Sequence, residues 1–256
     1  SSVPIKTIGG SIATLGNVGS VNIINALDVT PTPDGNFVWV TEPGNHRVIR
    51  IRGPLGATPQ VDVVLGQTQI ANNAYADNGF DPIYNDPVNI PNMCNRGNAP
   101  RSGSTPGTQP ELDRMCFPET VSIDRRGNLY IADHGLEVAG NWRMLMFQPS
   151  QFPTNNASVI FSPFAIKSFS DRSFPGNSSI DRYTAEDYSN GKLAVAFDSS
   201  NRMVVGHNPY LGERFVQVYQ DPTALNTLNR TDPNYSHPML KLQDFVIIFQ
   251  FFTSII

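Results

Sequence analysis

Three segments of the chain repeat the same plan of short strands and polar turns. They span residues 26–53, 116–148 and 191–220. Each contains a short apolar stretch, a polar turn, a second apolar stretch, another polar turn, and then an arginine followed by a third apolar stretch. A unit of this kind cannot bury its apolar side alone, so neighbouring units must stack on one another. This repeat constrains the fold more than any other feature of the sequence.

The first turn of each unit is built from residues that favour tight hairpins. These turns are Asp34-Gly35-Asn36, Arg126-Gly127-Asn128 and Ser199-Ser200-Asn201. The stretches around them are short, rich in β-branched or aromatic residues, and too brief for helices. They predict strands at residues 37–40, 48–51, 129–132, 144–147, 203–205 and 215–219. The sequence therefore predicts an all-β fold of antiparallel hairpins.

The composition agrees with many short strands joined by loops. The chain has 256 residues, of which 39% are apolar and 16% are charged, with 20 Gly and 21 Pro. The charged share is well below the roughly 25% that is usual for soluble domains. We expect one domain over residues 1–256. A net charge of -4 offers no basic patch for phosphates, so we expect neither nucleic acid nor an anionic membrane surface as a partner.

A long polar insert at residues 67–112 separates the first two units. A loop of this length in a compact domain is typically functional or mobile. Its aromatic residues Tyr75, Phe80 and Tyr84 can form a partner-binding surface, or they can pack the loop onto its own sheet. By analogy with exported proteins, we expect Cys94 and Cys116 to form a disulfide that restrains this region. Two free thiols are the alternative.

The second unit carries a recognisable motif. The pattern P-x-x-V-x-I-D-x-x-G-N-L-Y-I-A-D runs from Pro118 to Asp133 and is followed by Asn141-x-Arg143. It resembles the NHL repeat of β-propellers. The stretch V-L-G-Q, which ends at Gln67 before an Asn-rich insert, is similar to an exported bacterial subgroup of that family. The resemblance implies blades of four antiparallel strands around a central axis, usually six in number.

Three recognisable units leave room for only three or four blades, which makes a closed ring difficult. Either the chain is a fragment, or its loops conceal degenerate blades, or copies of the chain complete the ring. Residues 245–256 carry no charge and are mostly apolar. We expect them to form a closing strand in their own sheet. The alternatives are an exposed edge that pairs with another chain, or a truncated or foreign end.

Asp133 and Arg143 end and begin successive predicted strands, so they can pair across the hairpin. Arg47, Arg143 and Arg214 occupy matching places in the three units. A catalytic residue has no reason to recur once per unit. We therefore interpret these residues as structural clasps.

Three histidines, His46, His134 and His207, fall in the same turn of their units, the second one. His134 and His207 align when they are counted from Asn128 and Asn201. Equivalent turns of a propeller lie at one end, so the two imidazoles can approach the axis and bind zinc or calcium. The resemblance extends to amidating lyases, propellers that hold a metal with histidines, and it implies the same role here. The alternative is that these are rim residues and that no cofactor is bound.

The sequence contains no nucleophile motif and no phosphate-binding glycine loop. We therefore expect a non-enzymatic module that binds a protein or polysaccharide through its face loops, with self-association through residues 245–256 as a further expectation. A chain that begins Ser1-Ser2-Val3-Pro4 is typical of a processed protein, so we expect an extracellular or cell-surface location. The alternatives are a metal-dependent propeller lyase or lactone hydrolase, and a structural subunit of a surface layer or filament.

Overall fold

The computed structural model describes residues 26–43, 46–54, 56, 59–67, 112–133, 143–152, 154, 159–170, 192–208, 215–220, 222 and 239–243. These residues contain thirteen β-strands in three sheets, and a 3-10 turn spans Pro149–Gln151. The predicted all-β class is therefore confirmed for this part of the chain. No helix in it is long and apolar enough to cross a membrane.

Each sheet contains four antiparallel strands in chain order. Sheet I consists of β1 (Val29–Pro31), β2 (Phe37–Glu42), β3 (Arg47–Arg52) and β4 (Gln60–Leu65). Sheet II consists of β5 (Pro118–Ile123), β6 (Leu129–Asp133), β7 (Arg143–Phe147) and β9 (Lys167–Ser170). Sheet III consists of β10 (Lys192–Phe197), β11 (Met203–Asn208), β12 (Phe215–Tyr219) and β13 (Leu240–Gln243). The remaining strand, β8 (Ile160–Phe161), is added to sheet I.

The strands that the three units predict are confirmed, since they lie within β2, β3, β6, β7, β11 and β12. Val64 and Leu65 of the V-L-G-Q stretch end β4, and Gly66 and Gln67 follow the strand. The sequence did not predict the fourth strands of sheets II and III. β9 and β13 contain only four residues each, which is too few for a clear alternation of apolar and polar residues.

The first two strands of every sheet are joined by the same kind of turn. The backbone N–H groups of Gly35, Gly127 and Asn201 each donate to the carbonyl three residues earlier, at 2.9 Å. The φ angles of these residues are 71°, 83° and 61°. This is the left-handed region, which glycine and asparagine tolerate best. The turn chemistry of the sequence is therefore what sets these three hairpins.

The three sheets stack through alternate side chains of their strands. In β6, Leu129 and Ile131 pack toward sheet I, whereas Tyr130 and Ala132 pack toward sheet III. This alternation follows from the two-residue period of a strand. Sheet I supplies Trp39, Val48, Val63 and Leu65 to the first core, and sheet III supplies Val195, Met203, Val205 and Tyr219 to the second. Sheet II therefore lies between the other two.

The first strands of the three sheets, β1, β5 and β10, lie next to one another. The three sheets also point the same way, so that equivalent turns lie at the same end. β5 contacts β1 and β2 on one side and β10 on the other. Thr41 Oγ1 donates to the Glu119 carbonyl at 3.2 Å, and Arg125 N donates to Asn201 Oδ1 at 2.7 Å. These three sheets have the strand order of propeller blades. The described residues do not by themselves close a ring, so the propeller and its number of blades stay a prediction.

The outer edge of sheet I is covered by a segment that belongs to sheet II. β8 lies in the connection between β7 and β9 and runs parallel to β4, with Ile160 opposite Val63. Ser162 then donates from its backbone N–H to the Val64 carbonyl and from Oγ to the Gln67 carbonyl, both at 2.7 Å. The edge of β4 is therefore paired rather than open.

Candidate binding site

The loops that enter and leave the first strand of each sheet differ between the two ends of the sheets. At the turn end, the short turns 32–36, 124–128 and 198–202 join the first two strands of each sheet. At the opposite end, which we call the loop-bearing end, the connections 66–117 and 171–191 join one sheet to the next. The connections 43–46, 134–142 and 209–214 begin and finish at the same end. Loops on a rigid scaffold are the usual place for binding residues, so this end is the candidate site.

Two buried ion pairs close hairpins at the loop-bearing end. Arg143 Nε lies 2.8 Å from Asp133 Oδ2, and Arg47 Nε lies 2.6 Å from Glu42 Oε2. These four side chains are at most 4% exposed. In both hairpins the acid ends one strand and the arginine begins the next. Each pair therefore holds the two ends of a loop together, and Glu42 is a partner that sequence reasoning missed.

The Asp133–Arg143 pair also holds the end of the long connection 66–117. The backbone N–H of Cys116 donates to Asp133 Oδ1 at 2.6 Å, and Arg143 Nη2 donates to the Arg114 carbonyl at 2.6 Å. Cys116 is buried and has no free thiol. Cys94 lies outside the described residues, so the pairing of the two cysteines stays a prediction.

The third hairpin departs from the predicted pattern. Leu129 and Met203 are equivalent because each packs toward the preceding sheet. The clasp aspartate Asp133 follows Leu129 by four residues, and His207 follows Met203 by the same number. His207 therefore has the place of the clasp aspartate in sheet III, and its Cα partner is Phe215. His207 therefore lies within β11, and its placement in a turn was wrong. Arg214, the predicted third clasp arginine, lies outside the part of the chain that the structure describes.

His46 contacts residues on both sides of the long connection. Its side chain is fully buried and its φ is 51°. Nδ1 accepts a hydrogen bond from Phe117 N at 3.2 Å, and the two rings meet edge to face with centroids 4.6 Å apart. The His46 carbonyl accepts from Gln67 Nε2 at 3.4 Å. Burial lowers the pKa of His46 to about 3, so the imidazole is neutral near pH 7.

At the turn end, carboxylates bond within their own turns: Asp34 is exposed and Asp198 is partly exposed, whereas Asp124 is buried. The hydrogen bond from the Thr32 side chain is the main cause that lowers the pKa of Asp34. The backbone N–H of Arg202 is the main cause that lowers the pKa of Asp198. The Arg202 side chain, which pairs with Asp198, is 48% exposed. These groups satisfy the backbone of their own turns, which is a structural role.

Sequence reasoning also missed a buried ion pair inside sheet I. Arg50 donates from Nε and Nη2 to the two oxygens of Asp62, at 2.8 and 2.9 Å. Its guanidinium carbon lies 4.1 Å from the centre of the Phe37 ring. The signal was present, because a buried strand that contains a charged residue needs a partner for it. Nothing in the sequence indicated which residue that partner was.

The predicted metal and partner-binding residues mostly fall outside the described ranges. Within those ranges, no three or more His, Cys, Asp or Glu side chains are grouped so that they can hold a metal ion. His134 and the side chain of His207 are not among the residues that the structure describes. Tyr75, Phe80 and Tyr84 are not described either. Zinc or calcium binding and the aromatic binding surface therefore stay predictions.

Comparison with known proteins adds no relative. No protein-family model matches the chain, and no curated protein matches it. The resemblance to NHL repeats therefore rests on the residues of the chain alone.

Proposed function

We propose that this chain is part of an exported NHL-like β-propeller that binds a protein or polysaccharide partner and does not catalyse a reaction. One observation carries the proposal. Both connections between successive sheets, 66–117 and 171–191, attach at the loop-bearing end, next to the first strands. Three sheets with one polarity therefore present their inter-sheet loops on a single face, which is how a β-scaffold forms a recognition surface.

The fixed bases of these loops support binding. The clasps and His46 hold residues on both sides of 43–46, 66–117 and 134–142 through buried contacts. A loop with fixed ends has less conformational freedom to lose when a partner binds. A scaffold of this kind suits recognition without any chemistry at the site.

The propeller part is supported by the roles that the motif residues have. In the second unit, Asp124 Oδ1 and Oδ2 accept from Asn128 N and Nδ2, both at 2.9 Å. Gly127 has a φ of 83°, and Asp133 forms the clasp with Arg143. The motif therefore consists of one capped turn and one clasp within a four-stranded antiparallel sheet, and propeller blades are sheets of this kind.

Binding is tested with a panel of immobilised polysaccharides and with candidate surface proteins. A variant with Tyr75→Ala, Phe80→Ala and Tyr84→Ala is expected to lose at least tenfold in affinity, about 1.4 kcal/mol. Phe164→Ala is the control for the loss of an exposed aromatic side chain, because Phe164 is 59% exposed and lies outside the insert 67–112. Equal losses in both variants, or no binder in either panel, would count against the proposal.

A second function, that of a structural subunit which associates with copies of itself, is favoured by the far face of sheet III. Ala196, Val204 and Val218 lie on the face turned away from sheet II and are half-buried. Leu240, the Cα partner of Val218, is 49% exposed. Apolar faces of this kind are frequent in interfaces.

Self-association is tested by sedimentation of the full chain, of a chain that lacks residues 245–256, and of Val218→Lys. The control is Ser150→Lys, which adds the same charge at an exposed position outside sheet III. Dissociation by Val218→Lys, with Ser150→Lys unchanged, would support assembly through sheet III. A monomer in the full chain would rule assembly out.

A further inference from the structure

We propose that the hydrogen bond from Phe117 N to His46 Nδ1 is an acid-sensitive latch between sheets I and II at the loop-bearing end. The latch joins residue 46, just before β3, to residue 117, just before β5. It does not depend on the proposed partner, although the loops proposed to bind that partner begin beside it.

The chemistry of the imidazole makes the latch specific for the neutral histidine. Nδ1 accepts from Phe117 N, so the ring proton of the neutral form is on Nε2, which is buried and has no hydrogen-bond partner among the described residues. When Nδ1 is protonated it becomes a donor and faces another donor, the Phe117 N–H. A positive charge would also lie in a fully buried position, which is costly without a partner.

Among the described residues, no nearby charge compensates the protonated ring. Of the charged groups around the latch, Glu42 pairs with Arg47 on the same hairpin, Asp133 with Arg143 beside Cys116, and Asp113 with Arg114 before it. Glu119, two residues after Phe117, is a further buried carboxylate. The downward pKa shift of His46 has burial as its cause. The protonated histidine is therefore accommodated only after the contact with Phe117 has opened.

The backbone angles of the two latch residues favour local opening of the latch when His46 is protonated. His46 and Phe117 both have positive φ, 51° and 55°, which is costly for residues other than glycine and is sustained only by the contacts around them. Once the hydrogen bond breaks, both residues can relax to ordinary backbone angles. In the open state the ring titrates near its usual value of 6.5, so each pH unit below that value favours opening tenfold.

Amide hydrogen exchange of Phe117 tests the latch directly. Its protection factor is expected to fall about 30-fold between pH 7.5 and pH 5.0. Val121 is the internal control, because its N–H also crosses from sheet II to sheet I, donating to Asp28 Oδ2 at 2.9 Å. Its protection is expected to fall less than that of Phe117, because only the openings that expose His46 depend on its titration. An unchanged Phe117 amide, or an equal fall at Val121, would overturn the proposal.

His46→Asn separates the titration from the packing. Asparagine tolerates positive φ and offers an acceptor oxygen near the place of Nδ1, but it does not titrate. Its Phe117 protection is expected to be independent of pH, whereas His237→Asn keeps the wild-type response. A pH response that persists in His46→Asn would assign it to another group. If that variant does not fold, the comparison of Phe117 with Val121 in the wild type still decides.

Discussion

The two ends of the same three sheets are held by different interactions. At the turn end, the carboxylates bond within their own turns, as in the exposed bond from Arg202 to Asp198 four residues away, while Asp124 and Asn128 are buried and Arg125 N reaches Asn201 in the next sheet. At the loop-bearing end the contacts are buried, and the bond between His46 and Phe117 joins residues 71 positions apart. Local exposed contacts contribute little each, because water competes for the same groups. Buried contacts between distant residues are fewer, but the loss of one leaves a group without solvent or partner.

The largest difference between the ends is expected from the clasp aspartate. Asp133→Ala removes the carboxylate that pairs with the buried Arg143 and also removes the acceptor of Cys116 N. The loss in free energy of unfolding is expected to be about 3–5 kcal/mol, measured in urea. Asp198→Ala at the turn end is the control, with a much smaller loss because the Asp198 side chain is 26% exposed and its partner Arg202 is 48% exposed. Equal losses of unfolding free energy in Asp133→Ala and Asp198→Ala would mean that the two ends are held equally strongly.

A glycine-to-alanine substitution at each end, Gly35→Ala and Gly66→Ala, compares the two ends of the sheets directly. An alanine Cβ at Gly66 would lie 2.7 Å from the His46 carbonyl oxygen and 3.0 Å from Met115 Cβ, whereas at Gly35 nothing lies within 4 Å. Both residues have positive φ. Gly35→Ala is expected to lower the free energy of unfolding by about 1 kcal/mol, because only the positive φ is strained. Gly66→Ala is expected to lower it by about 3 kcal/mol, because the new Cβ also clashes with its neighbours. Thermal unfolding of the two variants measures the difference.

Acid is expected to weaken the two ends in successive pH windows. The pKa of His46 is about 3 in the folded chain and 6.5 when exposed, so between these values the unfolded state binds more protons. Stability is therefore complete above pH 6.5 and falls by about 1.4 kcal/mol per pH unit below it. The lowered pKa values of Asp34 and Asp198 act later. Their contribution is present above about pH 3.8 and is lost as pH falls through the folded values.

Urea midpoints between pH 8 and pH 4 measure the first window. His46→Asn is expected to remove most of the slope between pH 6.5 and pH 4. A wild-type midpoint that is flat over this range would contradict the assignment of the slope to His46.

The smallest effect is expected from Arg202→Ala. The Arg202 side chain is 48% exposed, and its carboxylate partner Asp198 is 26% exposed. Exposed ion pairs add little stability, because water solvates the separated charges almost as well. The unfolding temperature of Arg202→Ala is therefore expected to equal that of the wild type within experimental error. A shift as large as that of Asp133→Ala would mean that the turn end is not the weaker of the two.

The elements that the sequence predicted are those that depend on neighbouring residues. The three hairpin turns follow from residues such as Gly127 and Asn201, which tolerate the left-handed region. The strands beside them follow from short apolar runs. The Asp133–Arg143 pair was also within reach, because a hairpin brings the end of one strand beside the start of the next.

The elements that the sequence did not predict depend on residues far apart. β8 is defined only by its pairing with β4, and β9 by its pairing with β7. The burial of His46 depends on Phe117, which follows the long insert. The position of His207 was wrong because alignment by the turn asparagines misplaced where β11 ends, and a one-residue error in a strand changes the face of every side chain.

Strand β8 has a consequence for the way the chain is made. Translation reaches the end of β4 at residue 65, but the strand that covers its outer edge is encoded at residues 160–161. At ordinary elongation speeds this delay is roughly 5 to 20 s. Nascent chains on one polysome therefore carry an open strand edge side by side, which is the geometry that starts aggregation. A ribosome that stalls before residue 160 would leave that edge permanently uncovered.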